Sequence, residues 1–149
     1  MKFLDYAINN KKVKSLSDIM ENGIQLEGFI IRESSTLYNG YLIGDLVFVQ
    51  KYKYKNGMMG NNHIFLIVDI DSSKRNTIYY GMILSSKIEK ISYSANKFIK
   101  RDLRNKLNKD SIIKTDVIYE IFTQNILLKI GKIDKTKVEI YKNSLINNM

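Results

Sequence analysis

The sequence contains no cysteine, no proline, no tryptophan and one histidine among its 149 residues. Without cysteine, the chain has no disulfide, no thiolate nucleophile and no ligand set for a zinc finger or an iron–sulfur cluster. A single histidine also excludes a multi-histidine metal site. No P-loop, dinucleotide-binding, kinase or H-E-x-x-H motif occurs. We therefore expect a protein that works without a metal ion or another cofactor.

Long apolar runs are missing as well. The longest run, Ile64–Val68, is far shorter than the roughly 18–20 residues that a membrane-spanning helix needs. Residues 1–5 become acidic and polar too early to begin a secretory signal peptide. The sequence therefore predicts a cytoplasmic protein with no membrane partner.

Positive charge is in excess, because 24 Lys and Arg residues stand against 15 Asp and Glu residues, a formal net charge of +9. Such an excess attracts polyanions, so we expect nucleic acid as the first candidate partner and an acidic protein segment as the second. The hydrophobic content of 44% and the chain length are typical of one folded domain. We divide the chain into an N-terminal extension, residues 1–40, and a single domain, residues 41–149.

The extension has two weak local patterns. Ser15 is a suitable cap for a short helix that ends at Asn22, before Gly23. Apolar residues at even spacing from Ile24 to Ile31 then predict one strand, followed by a loop over 33–40. This extension could cover an edge of the sheet, extend a dimer contact or lie over the groove as a built-in inhibitor, and we favour the first of these roles.

Within the domain, polar turns separate short runs of β-branched and aromatic residues. A long loop is predicted over Lys55–Asn62. The predicted strands are Leu42–Gln50, His63–Ile70, Ile78–Ser85 and Ser111–Ile121. The last segment predicts a helix, with Val138, Tyr141 and Leu145 on one face. The fold class we expect is mainly β (α+β): a small antiparallel β-barrel with a C-terminal helix and an N-terminal helix and strand extension.

Two basic segments are candidates for binding nucleic acid. In Lys51–Lys55, lysines alternate with tyrosines, which supplies phosphate neutralisation and stacking surfaces. The alternative is a strand end with tyrosines inward and lysines in solvent. The segment Lys97–Lys109 has six basic residues against Asp102, a net charge of 6 − 1 = +5. Its alternative is an ordinary solvated loop.

His63 and Ser85 are the candidates for chemistry. His63 follows a loop at the start of an apolar strand, and histidine is the residue type whose ordinary pKa lies near neutrality. It is either a proton-transfer group at the rim of a cleft or an ordinary strand-end residue. Ser85 and Ser86 end a predicted strand, where a hydroxyl can bond to a phosphate oxygen. No G-x-S-x-G motif surrounds them, which disfavours a serine hydrolase.

The order of several segments resembles the PemK/MazF family of toxin–antitoxin ribonucleases. The resemblance covers about residues 41–145, and each motif has low specificity by itself. The segments Gly44–Val49, His63–Asp69, Leu84–Ile88, Leu107–Ile113 and Ile130–Ile133 are similar to the family's G-D-hydrophobic strand, R-P-A-L-V-I strand, L-T-S strand end, L-x-x-x-S-x-(V/I) segment and I-G-x-L segment. This chain differs at two key positions, with His63 at the family's Arg and Ser85 at its catalytic Thr.

The resemblance implies an SH3-like barrel and a homodimer that cleaves single-stranded RNA without metal, leaving a 2′,3′-cyclic phosphate and a 5′-hydroxyl. It also implies a cognate antitoxin, often with an acidic segment. In this interpretation His63 transfers a proton and Ser85 orients a phosphate, whereas the residues expected to contact RNA are Lys53, Lys55, Ser86 and Lys87. The alternative is an inert barrel of the same family that binds nucleic acid or blocks a protein target such as gyrase.

Overall fold

The computed structural model describes residues 24–26, 29–31, 40–54, 56–73 and 75–147. The helix expected over 15–22 and the loop expected over 33–40, apart from Gly40, lie outside these residues. The single strand expected over 24–31 is wrong, because β1 (Ile24–Leu26) and β2 (Phe29–Ile31) pair with each other as an antiparallel two-stranded sheet. An alternating pattern continues through a hairpin, so it does not reveal where the chain reverses.

Seven strands of the described residues form the main sheet, and all their pairings are antiparallel. These strands are β3 (Asp45–Lys53), β4 (Met59–Asp71), β5 (Ile78–Ser85), β6 (Asn96–Ile99), β7 (Ser111–Lys114), β8 (Tyr119–Phe122) and β9 (Ile126–Lys132). The sheet order is β6-β7-β5-β4-β3-β9, with β8 paired to β5 beside β7. Helix α1 (Lys135–Asn147) follows. The expected α+β class, a mainly antiparallel sheet with a C-terminal helix, is confirmed.

Several element boundaries differ from the sequence prediction, and the first predicted strand, Leu42–Gln50, runs from Asp45 to Lys53. The strand expected over Ser111–Ile121 is two strands, β7 and β8, separated by a turn at 115–118. The Thr115 side chain fixes this turn, because its hydroxyl and its backbone N–H both donate to the carbonyl of Ala95. The predicted loop over Lys55–Asn62 is shorter than expected, since β4 already begins at Met59. Strands β6 and β9 are not evident from the sequence, because each is short or lacks clear alternation.

Both faces of β3 and β4 are buried, so the domain has two hydrophobic clusters. The helix-side cluster is mostly aliphatic, and α1 covers it with Val138 and Tyr141. Its strand members include Leu46, Leu66, Leu84, Ile113 and Ile130. The aromatic cluster lies on the other face and includes Tyr52, Phe65, Ile67, Tyr79, Tyr119 and Ile121. No helix among the described residues is long and apolar enough to cross a bilayer.

The Gly44-Asp45 dipeptide fixes the start of β3. Gly44 has a positive φ of 98°, and a Cβ there would lie 2.6 Å from the carbonyl oxygen of Ile133, so only glycine fits without strain. Asp45 is buried, accepts a hydrogen bond from the backbone N–H of Leu42 at 2.9 Å, and pairs with Lys129 Nζ at 3.1 Å. A buried carboxylate needs such partners, because an unpaired charge is costly to bury.

Candidate functional site

The pairing of β4 with β5 brings His63 and Ser85 to the same end of the sheet. The last paired residues there are Phe65 and Ile83, both members of the aromatic cluster. His63 and Ser85 each lie two residues beyond that pair, and side chains alternate along a strand. By this alternation both side chains lie on the face of the sheet that carries Phe65 and Ile83, with His63 inside β4 and Ser85 at the end of β5. His63 lies opposite Val49 on β3.

A chain of hydroxyl groups connects His63 to the molecular surface. The Tyr52 hydroxyl lies 2.8 Å from His63 Nδ1 and donates a hydrogen bond to the Tyr54 hydroxyl at 3.0 Å. Tyr52 is 3% exposed, whereas Tyr54 is 39% exposed. The Tyr52 ring also packs edge-on against the rings of Phe65 and Tyr119 at centroid distances of 4.9 and 5.6 Å. The histidine thus has a rigid aromatic partner on its Nδ1 side.

Gly60 makes this contact possible. It lies directly opposite Tyr52 in the β3–β4 ladder, and a Cβ at this position would collide with the Tyr52 ring. Since glycine has no side chain, the ring can lie across β4 and reach His63. The sequence pattern does not identify Tyr52 as a partner of His63. The pairing of residue 52 with residue 60 follows from the hairpin register, which no local pattern specifies.

Ser85 is held by the turn that follows it. Its side chain is 4% exposed, and its hydroxyl accepts a hydrogen bond from the backbone N–H of Lys87 at 3.1 Å. Ser86 is half-buried, and Lys87 is exposed at the start of a 3₁₀ turn, Ile88–Ser92. On β7, Ile112 is the direct neighbour of Ser85. Exposure to solvent therefore increases from Ser85 through Ser86 to Lys87 at this strand end.

A groove of about 590 Å³ lies between the end of β3 and strand β8. Its walls include Lys51, Lys53, Tyr54, Tyr119, Glu120 and Phe122. Of the residues predicted to bind RNA, the structure puts Lys53 in this groove, whereas Lys55 lies outside the described residues. Tyr52 lines the groove and contacts His63, so its ring stands between the groove and the histidine.

The segment Lys51–Lys55 has features of both sequence interpretations, the nucleic-acid-binding segment and the plain strand end. Tyr52 points into the aromatic cluster and Lys51 and Lys53 are exposed, as the alternative of a plain strand end predicts. Yet both lysines and Tyr54 also line the groove, which gives it cations and an exposed ring. The groove can therefore bind an anionic, aromatic ligand without any change in the strand.

The second basic segment does not join this groove. The Arg104 carbonyl accepts a hydrogen bond from the Lys132 N–H, and Lys132 lies opposite Asp45 at the first residue of β3. The groove lysines lie towards the other end of this nine-residue strand, roughly 20 Å away for Lys51 and roughly 26 Å away for Lys53 at about 3.3 Å per residue. Buried Asn105 pins the loop by bonding to three backbone groups, of Lys100, Asp102 and Leu107.

Tyr119 remains a neutral hydroxyl in the wall of the groove. Burial raises its pKa above the ordinary value of 10.0, and the nearby Tyr54 and Asp116 raise it further. Among the described residues, no group of three or more His, Cys, Asp or Glu side chains is placed to hold a metal ion. The groups that the site presents are the His63 imidazole, tyrosine and serine hydroxyls, and lysine ammonium groups.

A scan of protein-family models finds no match to this chain, and a search of curated proteins finds no relative. The resemblance to the PemK/MazF family therefore rests on the sequence segments quoted above.

Proposed function

We propose that this protein is the toxin of a toxin–antitoxin system and that it cleaves single-stranded RNA without a metal ion. The main support is the hydrogen bond between Tyr52 and His63 Nδ1, and His63 and Ser85 each lie two residues beyond the last pair of the β4–β5 ladder. A histidine oriented through one ring nitrogen is the arrangement that general acid–base catalysis needs.

In the proposed reaction, the 2′-hydroxyl of a nucleotide attacks the adjacent phosphorus. His63 takes up the proton of that hydroxyl, the bond between phosphorus and the departing 5′-oxygen breaks, and this oxygen takes a proton from a water molecule, whose hydroxide is then neutralised by the proton that His63 releases. The products are a 2′,3′-cyclic phosphate and a 5′-hydroxyl. Ser85 donates its hydroxyl proton to a phosphate oxygen, while Lys87 offsets the negative charge that develops there.

The groove supplies the proposed binding surface for the rest of the RNA strand. Lys51 and Lys53 neutralise phosphates, and the exposed rings of Tyr54 and Phe122 offer stacking surfaces. Stacking on an aromatic ring contributes about 1–3 kcal/mol per base. Single strands suit such a groove because their bases are free to stack on protein rings.

An SH3-like barrel is the finer fold that we propose for the domain. Strand β3 is flanked by β4 and β9, while β5 is flanked by β4 and β8. A short 3₁₀ turn, Thr123–Asn125, connects β8 to β9. The ring contact between Tyr52 of β3 and Tyr119 of β8 joins two strands of this sheet that are not hydrogen-bonded to each other. These features support a barrel whose last opening is filled by side chains.

The partners and location that we propose follow from the family resemblance and from charge. An antitoxin with an acidic segment would complement the net charge of +9 and compete with RNA for the same lysines. The proposed homodimer comes with the resemblance alone, whereas the proposed cytoplasmic location was already expected from the sequence. Production of the chain with and without its neighbouring gene product tests this part, since growth arrest should occur only when the chain is made alone.

The test of cleavage uses the full-length protein, a long unstructured RNA and EDTA. We expect cutting by the wild type and a loss of about 10²–10⁴-fold in rate for His63→Ala, the range for a general acid–base group. Asn61→Ala is the matched control, because Asn61 is an exposed residue on the same strand. The new 5′ ends should accept phosphate from a kinase directly. No cutting by the wild type, or equal cutting by His63→Ala, would contradict the proposal.

A second candidate is a binding module that grips RNA without cutting it. It is favoured by Ser85, which is nearly buried and engaged with the Lys87 backbone. This candidate predicts salt-sensitive binding with no product. Removing one phosphate-binding lysine, as in Lys51→Ala or Lys53→Ala, should make the slope of log affinity against log salt shallower by about 0.7.

A further inference from the structure

We infer that Tyr52 and Tyr54 act as positioning residues that hold His63 in the tautomer with its proton on Nδ1. The geometry of two hydrogen bonds carries this inference. Tyr52 donates its hydroxyl proton to Tyr54 at 3.0 Å, and the same oxygen lies 2.8 Å from His63 Nδ1. A tyrosine hydroxyl has one proton to donate. The bond to His63 must therefore be donated by Nδ1–H, with the Tyr52 oxygen as the acceptor.

This arrangement is informative because it opposes the intrinsic preference of the side chain. A histidine without a constraining partner favours the proton on Nε2, and the partner of one ring nitrogen decides which tautomer is present. With Nδ1 protonated, Nε2 has its lone pair and can accept a proton. The two tyrosines thus favour the form of His63 in which Nε2 is unprotonated and can act as a general base.

The position of the two rings makes the arrangement rigid. Tyr52 is nearly fully buried, and its ring is fixed by Phe65, Tyr119 and the absence of a side chain at Gly60. Tyr54 meets the same ring edge-on at a centroid distance of 5.1 Å. Side chains held by packing keep a hydrogen bond in one geometry better than mobile ones do. The hydroxyl chain is therefore part of the folded core at one end and of the groove wall at the other.

The assignment of the tautomer stands on this geometry alone, whereas its role in making His63 a base rests on the proposed function. The experiment separates the two, because the chain has one histidine and therefore one set of histidine ring-nitrogen signals. The full-length protein is labelled with ¹⁵N-histidine and studied by long-range ¹H–¹⁵N correlation at a pH where the ring is neutral. We expect Nδ1 to give the signal of a protonated nitrogen and Nε2 that of an unprotonated one.

Two variants test the cause. In Tyr52→Phe the ring packing stays and the acceptor for Nδ1–H is removed, so the signals should move towards the Nε2–H form. In Tyr54→Phe the Tyr52 hydroxyl no longer has its own acceptor and can turn to donate to Nδ1, so the same move is expected. Tyr93→Phe is the control, since Tyr93 is an exposed tyrosine after the 3₁₀ turn, and it should leave the signals unchanged. Thermal midpoints of all three variants check that the fold is intact.

Cleavage rates test whether the tautomer matters for the proposed role of His63 as a base. We expect Tyr52→Phe to lose about 10–100-fold, the range for outer groups that fix the tautomer of a functional histidine. A wild type with Nε2–H as its main form, or signals that neither tyrosine variant moves, would overturn the tautomer inference even if RNA is cut. The expected signals in a wild type that cuts no RNA would support the tautomer and overturn its catalytic role together with the proposed function.

Discussion

The two buried clusters of this domain differ in what they contain besides hydrocarbon. The helix-side cluster is almost entirely aliphatic and is closed by α1. The aromatic cluster is bordered by polar groups at both ends, the Asp45–Lys129 ion pair at one and the Tyr54–Tyr52–His63 chain at the other. A surface that only excludes water can be built from aliphatic side chains, whereas each buried polar group needs a partner in a fixed place. The aromatic side is therefore where the domain positions chemical groups.

The largest effect should come from the buried ion pair at the start of the aromatic side. Asp45→Asn removes the carboxylate partner of Lys129, and breaking a buried pair costs about 3–5 kcal/mol of the free energy of unfolding. Asp69→Asn is the control, because its pair with Lys142 at 3.7 Å is largely exposed and contributes at most about 1 kcal/mol. Urea unfolding followed by tyrosine fluorescence measures both. Equal losses of unfolding free energy in the two variants would show that the buried pair is no more stabilising than the exposed one.

Alanine variants at two adjacent residues of β4 allow the two clusters to be compared directly. Leu66 belongs to the helix-side cluster and Ile67 to the aromatic cluster, and neither is exposed to solvent. Leu66→Ala and Ile67→Ala should each lower the free energy of unfolding by about 2–5 kcal/mol, because each leaves a cavity. Ile67→Ala should change the near-ultraviolet circular dichroism of the tyrosines more than Leu66→Ala does, because three buried tyrosines lie in the aromatic cluster and one, Tyr141, in the helix-side cluster. The same spectral change in both variants would mean that the clusters are not separate.

A smaller and more local effect is expected at Gly60. Gly60→Ala pushes a methyl group against the Tyr52 ring, and overpacking of this kind costs about 1–3 kcal/mol. The ring must move away from His63, so the histidine signals should move in the direction expected for Tyr52→Phe. Gly57→Ala is the control, since a Cβ at Gly57 meets no atom within 4 Å. Its positive φ of 87° adds some backbone strain, but the histidine signals should stay unchanged. An unchanged histidine in Gly60→Ala would argue against the fixed ring.

The smallest effect is a loss of stability at alkaline pH. Burial raises the pKa of Tyr141 on the helix side, whereas burial, Tyr54 and Asp116 raise the pKa of Tyr119 on the aromatic side. For both residues the neutral form is favoured by folding, so their contribution is complete below about pH 10 and is lost as pH rises through the folded pKa. Asp116→Asn should lower the pKa of Tyr119 and leave that of Tyr141 unchanged. Spectrophotometric titration of the tyrosines in the wild type and this variant measures the difference.

Much of the fold was predictable from local pattern. Strand β5 has the predicted bounds, Ile78–Ser85, and the predicted face of α1 packs on the helix-side cluster through Val138 and Tyr141, with Leu145 partly buried. These features repeat with the period of one strand or one helix, so neighbouring residues reveal them. The split of Ser111–Ile121 into β7 and β8 was not predictable, because the hydrogen bonds of Thr115 to Ala95 that fix the turn come from a distant segment.

The sequence by itself determined which residue types are available: one histidine, no thiol, an excess of lysine, and a serine at the end of a strand. Only the tertiary structure decided that Tyr52 contacts His63. It also decided that Lys53, but not Arg104, lines the groove between β3 and β8. The physical reason is register, since pairing fixes which residues of two strands lie opposite each other, and a shift by one residue turns every side chain to the other face.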